Sequence, residues 1–238
     1  MAITAVRFLL AFDRGGYMSI LFVLLTFLLI LSFSYFRRSE VPAVAVQPAP
    51  FLKMNAPKMV KSAGFEVPDG YSFHPGHTWV RDEGQQNARV GIDAFAGRLF
   101  GDIDTIELAD LNRWVRQGQK LCSVKKGDKS VDLLSPVEGV LVSINHEVLE
   151  NPKLVTEDPY KSGWLCVVKA PELSVNVKNL LSGPIVPAWM QNSIARLGGL
   201  MQEFSPALAQ DGGLPVKGLY FQVDSRVQRK LAREFFLA

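Results

Sequence analysis

The sequence predicts a mainly β body, a small barrel or sandwich, carried between one N-terminal transmembrane helix and a helical C-terminal tail. Three observations carry this. Short alternating strands separated by turn signals fill the middle of the chain. Tyr17 to Phe36 is a run without a charged residue. After Lys169, apolar residues recur at helical spacing. The 238 residues allow one sizeable domain plus appendages. The net charge of +3 gives little support for a nucleic-acid partner, and no glycine-rich phosphate loop is present.

Residues 17–36 are dominated by Leu, Ile, Phe and Val. As a helix they would span about 30 Å, the thickness of a bilayer core. Arg37 and Arg38 follow in place of a small-residue cleavage site, so the run reads as an uncleaved anchor. Arg37, Arg38, Lys53, Lys58 and Lys61 lie after the helix, against Arg7 and Arg14 before it. That bias places the body on the cytoplasmic side of a bacterial inner membrane. Residues 37–64 read as a Pro/Ala-rich linker. Its four prolines between Val41 and Pro57 make an extended, semi-rigid tether.

Within the body, Trp79-Val80-Arg81 and Ala88 to Ile92 flank a turn at Glu83-Gly84-Gln85. Asp93 to Leu99 suits a short helix with Asp93 as its N-cap. Strands are expected over Ile103–Leu108, Lys120–Val124, Val131–Leu134, Gly139–Ile144 and Trp164–Val168. Cys122 and Cys166 each sit in a hydrophobic strand-like run, do not form a CxxC pair, and read as buried free thiols.

Several motifs in fixed order then narrow the fold. They are His77-Thr78-Trp79-Val80, Val90-Gly91-Ile92-Asp93-Ala94-Phe95-Ala96, Leu99-Phe100-Gly101-Asp102-Ile103, Ser135-Pro136-Val137-Glu138-Gly139 and Glu157-Asp158-Pro159-Tyr160-Lys161-Ser162-Gly163-Trp164. Together they resemble the H protein of the glycine cleavage system, over roughly Tyr71 to Lys169. The resemblance implies a lipoyl-like barrel-sandwich hybrid over residues 65–170. It also implies a chemistry: lipoate is carried through an amide on one lysine at a hairpin tip. That lysine stands seven residues before the serine of Ser-Pro-Val, which here is Asp128. An aspartate cannot form the amide. Lys129 lies one residue late, and one residue in a strand reverses side-chain direction. Lys129 therefore remains only as an alternative lipoyl site, and no cofactor is expected. Gly127-Asp128 between lysines is also a good hairpin turn in its own right.

No catalytic residues are expected, since no nucleophile elbow or Ser-His-Asp arrangement is present. His74-Pro75-Gly76-His77 supplies only two candidate ligands, short of the four of structural zinc, so no metal site is expected. His77 falls in the family's His-x-Trp-Val and reads as structural, and His146 as an incidental loop residue.

Residues 171–238 read as a helical extension. Positions 190, 194, 197, 200, 201 and 204 share one helix face, with Gly198-Gly199 weakening the middle. A second amphipathic helix is expected from Ser225 to Phe236, with Val227, Leu231 and Phe235 on one side. Either both helices pack on the barrel and bury the terminal phenylalanines, or they form a docking surface for a partner protein. A third reading lays the basic second helix on an anionic leaflet.

The expected function is therefore non-enzymatic. The chain is read as a membrane-anchored scaffold or docking subunit that binds the bilayer through residues 17–36 and recruits a protein partner through the tail. The alternatives are a lipoyl carrier using Lys129 and an adaptor subunit of an export system. Such adaptors carry a long helical hairpin for which the Gly127-Asp128 turn leaves no room. Residues 1–16 form an N-terminal extension, and Arg14-Gly15-Gly16 can be encoded by a purine-rich ribosome-binding stretch. On this hypothesis translation begins at Met18. Mass spectrometry of the native protein should then find an N-terminal peptide starting there; a peptide containing both Phe12 and Met18 would sink the idea.

Overall fold

The computed structural model of the chain describes residues 20–33, 58–62, 64–204 and 214–237. The chain divides into two units, Met1–Ala49 and Pro50–Ala238. In the first, residues 20–33 form helix α1, and every large apolar side chain along it is exposed. Within the helix, Thr26 Oγ1 donates to the Val23 carbonyl at 2.9 Å. Among the described residues no helix is long and apolar enough to cross a membrane. Residues 17–19 and 34–36 of the expected span, the proposed start at Met18 and the linker up to residue 57 lie outside the described residues.

The second unit is mainly β. Strands β1 (Met59–Ser62) and β2 (Phe65–Pro68) form a hairpin, so the end of the stretch expected as linker is a strand. Then come β3 (Ser72–Phe73), β4 (Thr78–Gly84), β5 (Asn87–Ile92), α2 (Ala94–Phe100), β6 (Thr105–Leu108), β7 (Trp114–Val115), β8 (Lys120–Lys126), β9 (Lys129–Leu134) and β10 (Gly139–Ile144). Helices α3 (His146–Glu150) and α4 (Leu154–Glu157) lead to β11 (Trp164–Lys169), α5 (Leu173–Asn176) and β12 (Leu181–Ser182). The chain continues through α6 (Ile185–Phe204), α7 (Leu219–Gln222) and α8 (Ser225–Leu231) to a π-helical turn, Ala232–Phe236.

A seven-stranded sheet, in order β12-β3-β4-β5-β11-β10-β7, and a three-stranded sheet, β6-β8-β9, share one hydrophobic core. Thr78 Oγ1, on the large sheet, donates to the Leu134 carbonyl on the small one at 2.9 Å. Asp93 caps α2 as expected, its carboxylate accepting from Ala96 N at 2.8 Å. The turn between β4 and β5 falls at Gln85-Gln86, one residue beyond the expected centre, with both residues at positive φ (54° and 65°). That is the signature of a type I′ turn, whose twist matches the strands it joins. Cys122 and Cys166 are buried free thiols. Burial pushes the Cys122 thiol up to about 12 and raises Cys166 as well.

The tail packs against the body. Val186, Met190, Ile194, Leu197 and Met201 of α6 are buried, and the helix runs through Gly198-Gly199. Asp224 caps α8 by accepting from Arg226 N and Val227 N. Val227, Leu231 and Phe235 then continue one buried face. The wider π turn adds a residue to the last turn, so that Phe236, five after Leu231, is buried too.

The start of β10 depends on a glycine. Gly139 has φ +155°, and a Cβ there would lie 2.1 Å from the Lys169 carbonyl oxygen on the neighbouring strand. Gly139→Ala is expected to cost about 3 kcal/mol or more, because backbone rather than a flexible side chain must move. Urea unfolding of the two proteins measures it, and a difference below about 1 kcal/mol would mean the strands slide apart cheaply.

Candidate functional site

The site expected from sequence is the tip of the β8–β9 hairpin. Strand register pairs Val124 with Val131, Lys125 with Ser130 and Lys126 with Lys129, leaving Gly127 and Asp128 as a two-residue turn. Gly127 has φ +57° while Asp128 stays at negative φ. This fits a type II′ turn, which needs glycine at its first central position, better than the type I′ turn that would twist both residues. The turn is tied back by Gly127 N donating to Asp104 Oδ2 at 2.8 Å. Asp128, where the sequence reading expects the lipoyl-lysine position, is exposed at the tip.

Lys129 opens β9 and is half-buried. Its Nζ does not point into solvent. It donates to the carbonyls of Phe221, at 2.8 Å, and Val223, at 2.9 Å. Phe221 lies in the last turn of α7, where carbonyls lack partners within the helix and suit a cation. The arrangement also relieves a local conflict. Lys126 and Lys129 face each other across the strands, and like charges so placed repel. Turning the Lys129 ammonium onto two carbonyls separates them.

Several contacts fix α7 beside the hairpin. Gly218 N donates to the Arg98 carbonyl at 2.9 Å, and Arg98 Nε donates to the Pro215 carbonyl at 2.5 Å. Lys217 meets Asp102 at 3.3 Å. Phe100, at the end of α2, packs against Phe236, Tyr220 and Phe221 with ring centroids 4.9, 5.8 and 6.1 Å away. Gln228 of α8 donates to the buried Tyr220 carbonyl at 2.9 Å. Burial, with nearby Asp132 as a smaller cause, pushes the Tyr220 hydroxyl up to about 12, so it stays neutral.

The histidines lie elsewhere. His77 is buried at φ +60°, with Nδ1 2.6 Å from Asp93 Oδ2. Its ring is stacked between Phe95 and Trp189, at 4.4 and 4.6 Å. Asp93 thus holds α2 with one oxygen and His77 with the other. His74 Nδ1 accepts from Gly76 N at 3.0 Å, and burial, then the charge of His77, lowers its pKa. His146 is exposed at the start of α3. Among the described residues no three His, Cys, Asp or Glu side chains gather as a metal site. Sequence reasoning named Lys129 and missed its partners. They are backbone carbonyls, which leave no mark in a sequence, and only the apolar run Leu219-Tyr220-Phe221 could have hinted at a buried segment there.

If the two bonds contribute to holding the tail, Lys129→Met should destabilise the protein by about 1–3 kcal/mol, the range for leaving a buried acceptor unpaired. Chemical denaturation checks this; an unchanged midpoint would mean water replaces the ammonium without loss.

Comparison with known proteins places this arrangement. The glycine cleavage H-protein family matches residues 71–192. The chain is similar to the glycine cleavage system H protein of Aliivibrio fischeri strain ES114, with 38% identity over 102 residues, covering 43% of this chain and 81% of that protein. The corresponding protein of Vibrio campbellii is 36% identical over 97 residues, covering 41% and 77%. A solved glycine cleavage system H protein from Mycobacterium marinum aligns over 53% of this chain and 98% of its own, at 24% identity and a TM-score of 0.46. The matched span includes the hairpin with Asp128 and Lys129 but stops short of α7 and α8, and on this span the chain belongs to the glycine cleavage H-protein family.

Proposed function

We propose that this chain is a non-enzymatic, membrane-tethered member of the H-protein family that serves as a scaffold or docking subunit, recruiting a protein partner at the cytoplasmic face of the bilayer. One observation carries the reading. The residue that the family resemblance sets at the lipoyl-lysine position is an exposed aspartate, and the adjacent Lys129 ammonium is committed to two backbone carbonyls. A swinging arm needs a free amine to be built on, and here the nearest one holds the tail in place. The tether rests on the apolar helix α1, whose large side chains are all exposed, and on the Arg37-Arg38 flank. Lipid is the solvent that such a surface suits.

A second reading keeps the family's carrier function, with lipoate on Lys129. Family membership favours it, as does the intact hairpin, with Lys129 next to the tip. The export-adaptor reading has less support, because the two-residue turn has no inserted helical hairpin.

The test is a peptide map across Val124 to Leu134 of protein from its native host, in cells whose other carriers are lipoylated. The scaffold reading expects Lys129 unmodified. A lipoyl adduct on Lys129 would replace it with the carrier reading.

A further inference from the structure

Segment 214–237 closes over the flank of the hairpin from which Lys129 projects, and it lies wholly outside the residues matched to the family. We propose that this segment is a cover on the hairpin, and that its docking and acylation of Lys129 exclude one another. The inference deepens the scaffold reading by naming what keeps the hairpin closed.

The argument is one of donors and charge. A lysine ammonium has three N–H donors and no acceptor. Two of the three are spent on the Phe221 and Val223 carbonyls. To react, Nζ must give up a proton to solvent and aim a lone pair at an activated acyl carbon. The C–N bond then forms, the bond from that carbon to the leaving group breaks, and the leaving group departs with its electron pair. A second proton leaves Nζ for solvent. The docked geometry opposes this, because both carbonyls stabilise the protonated amine. The product amide is uncharged and keeps a single N–H, enough for one carbonyl at most. The added acyl group must also fit where the end of α7 lies against the strand. Docking therefore disfavours acylation, and by linkage acylation disfavours docking to the same degree.

The cover's polar bonds to the rest of the unit include the Lys129 pair, the Gly218–Arg98 backbone bond, the Arg98–Pro215 bond, the Lys217–Asp102 ion pair at the surface and the Arg196–Glu234 pair. Its apolar anchor beside the hairpin is the cluster of Phe100 with Tyr220, Phe221 and Phe236, and farther along Phe235 packs on Phe95. Loss of one of those rings should loosen the cover while leaving the two sheets intact.

The test uses the full chain and a small amine-acylating reagent, sulfo-N-hydroxysuccinimide acetate, with labelling followed lysine by lysine by mass spectrometry. Lys126, across the strands on the same hairpin, is the internal reference. Lys129 should label about tenfold or more slowly than Lys126 in the native chain, as expected for a group that reacts only through local opening. Phe221→Asp should bring the two rates together. Asp224→Ala, which removes only the exposed cap of α8, gives a milder second variant expected to shift the ratio the same way. Equal rates in the native chain would overturn the proposal, as would a slow Lys129 in both variants while circular dichroism shows them folded. Labelling rates bear on the cover alone, and the peptide map of host protein bears on scaffold against carrier, so the two can fail separately.

Discussion

The structure around the hairpin depends on where one ammonium group points. A two-residue turn fixes Lys129 as the first residue of its strand, directly opposite another lysine. That position would be a liability in a bare hairpin. It becomes an asset because a short helix from the far end of the chain offers two carbonyls that need a donor. A local repulsion and a distant unsatisfied helix end thus resolve each other. The same contact occupies the Lys129 amine, next to the tip of the hairpin. Family membership is compatible with this contact, since the hairpin that the family frame provides is kept.

A second constraint holds the body for that contact to work. Asp93 caps α2 with one oxygen and meets His77 with the other, and His77 lies between the rings of Phe95 and Trp189. Trp189 belongs to α6 and Phe95 to α2, so this stack joins the tail to the body at its centre. Helix α2 in turn ends at Phe100, the ring on which α7 rests. The buried pair and the hairpin latch are therefore two ends of one connected set of contacts, running from the β4–β5 sheet through α2 to the C-terminal segment.

Much of this was legible in the sequence where chemistry is local. Asp93 as a cap, Gly127-Asp128 as a turn and the face formed by Val227, Leu231 and Phe235 all follow from rules that act within a few residues. Counting back from Ser135 also pointed to the hairpin tip that the structure forms at Gly127-Asp128. What escaped were features set by distant or backbone partners. Nothing in Met59–Ser62 signals pairing, because that strand exists through β2. Two glutamines at positive φ defy the usual turn composition and are held by the strands on either side. The π turn that buries Phe236 beside Phe235 breaks the period used to read the helix. Lys129 was visible as a candidate, but its role is decided by carbonyls some ninety residues away.

Amide hydrogen exchange of the full chain, native against Lys129→Met, tests the central claim most directly. If the ammonium ties down the C-terminal segment, exchange should quicken in α7 and α8 while the β4–β5–β11 sheet keeps its protection. Unchanged protection in α7 and α8 would contradict the account, since the segment would then be held without Lys129.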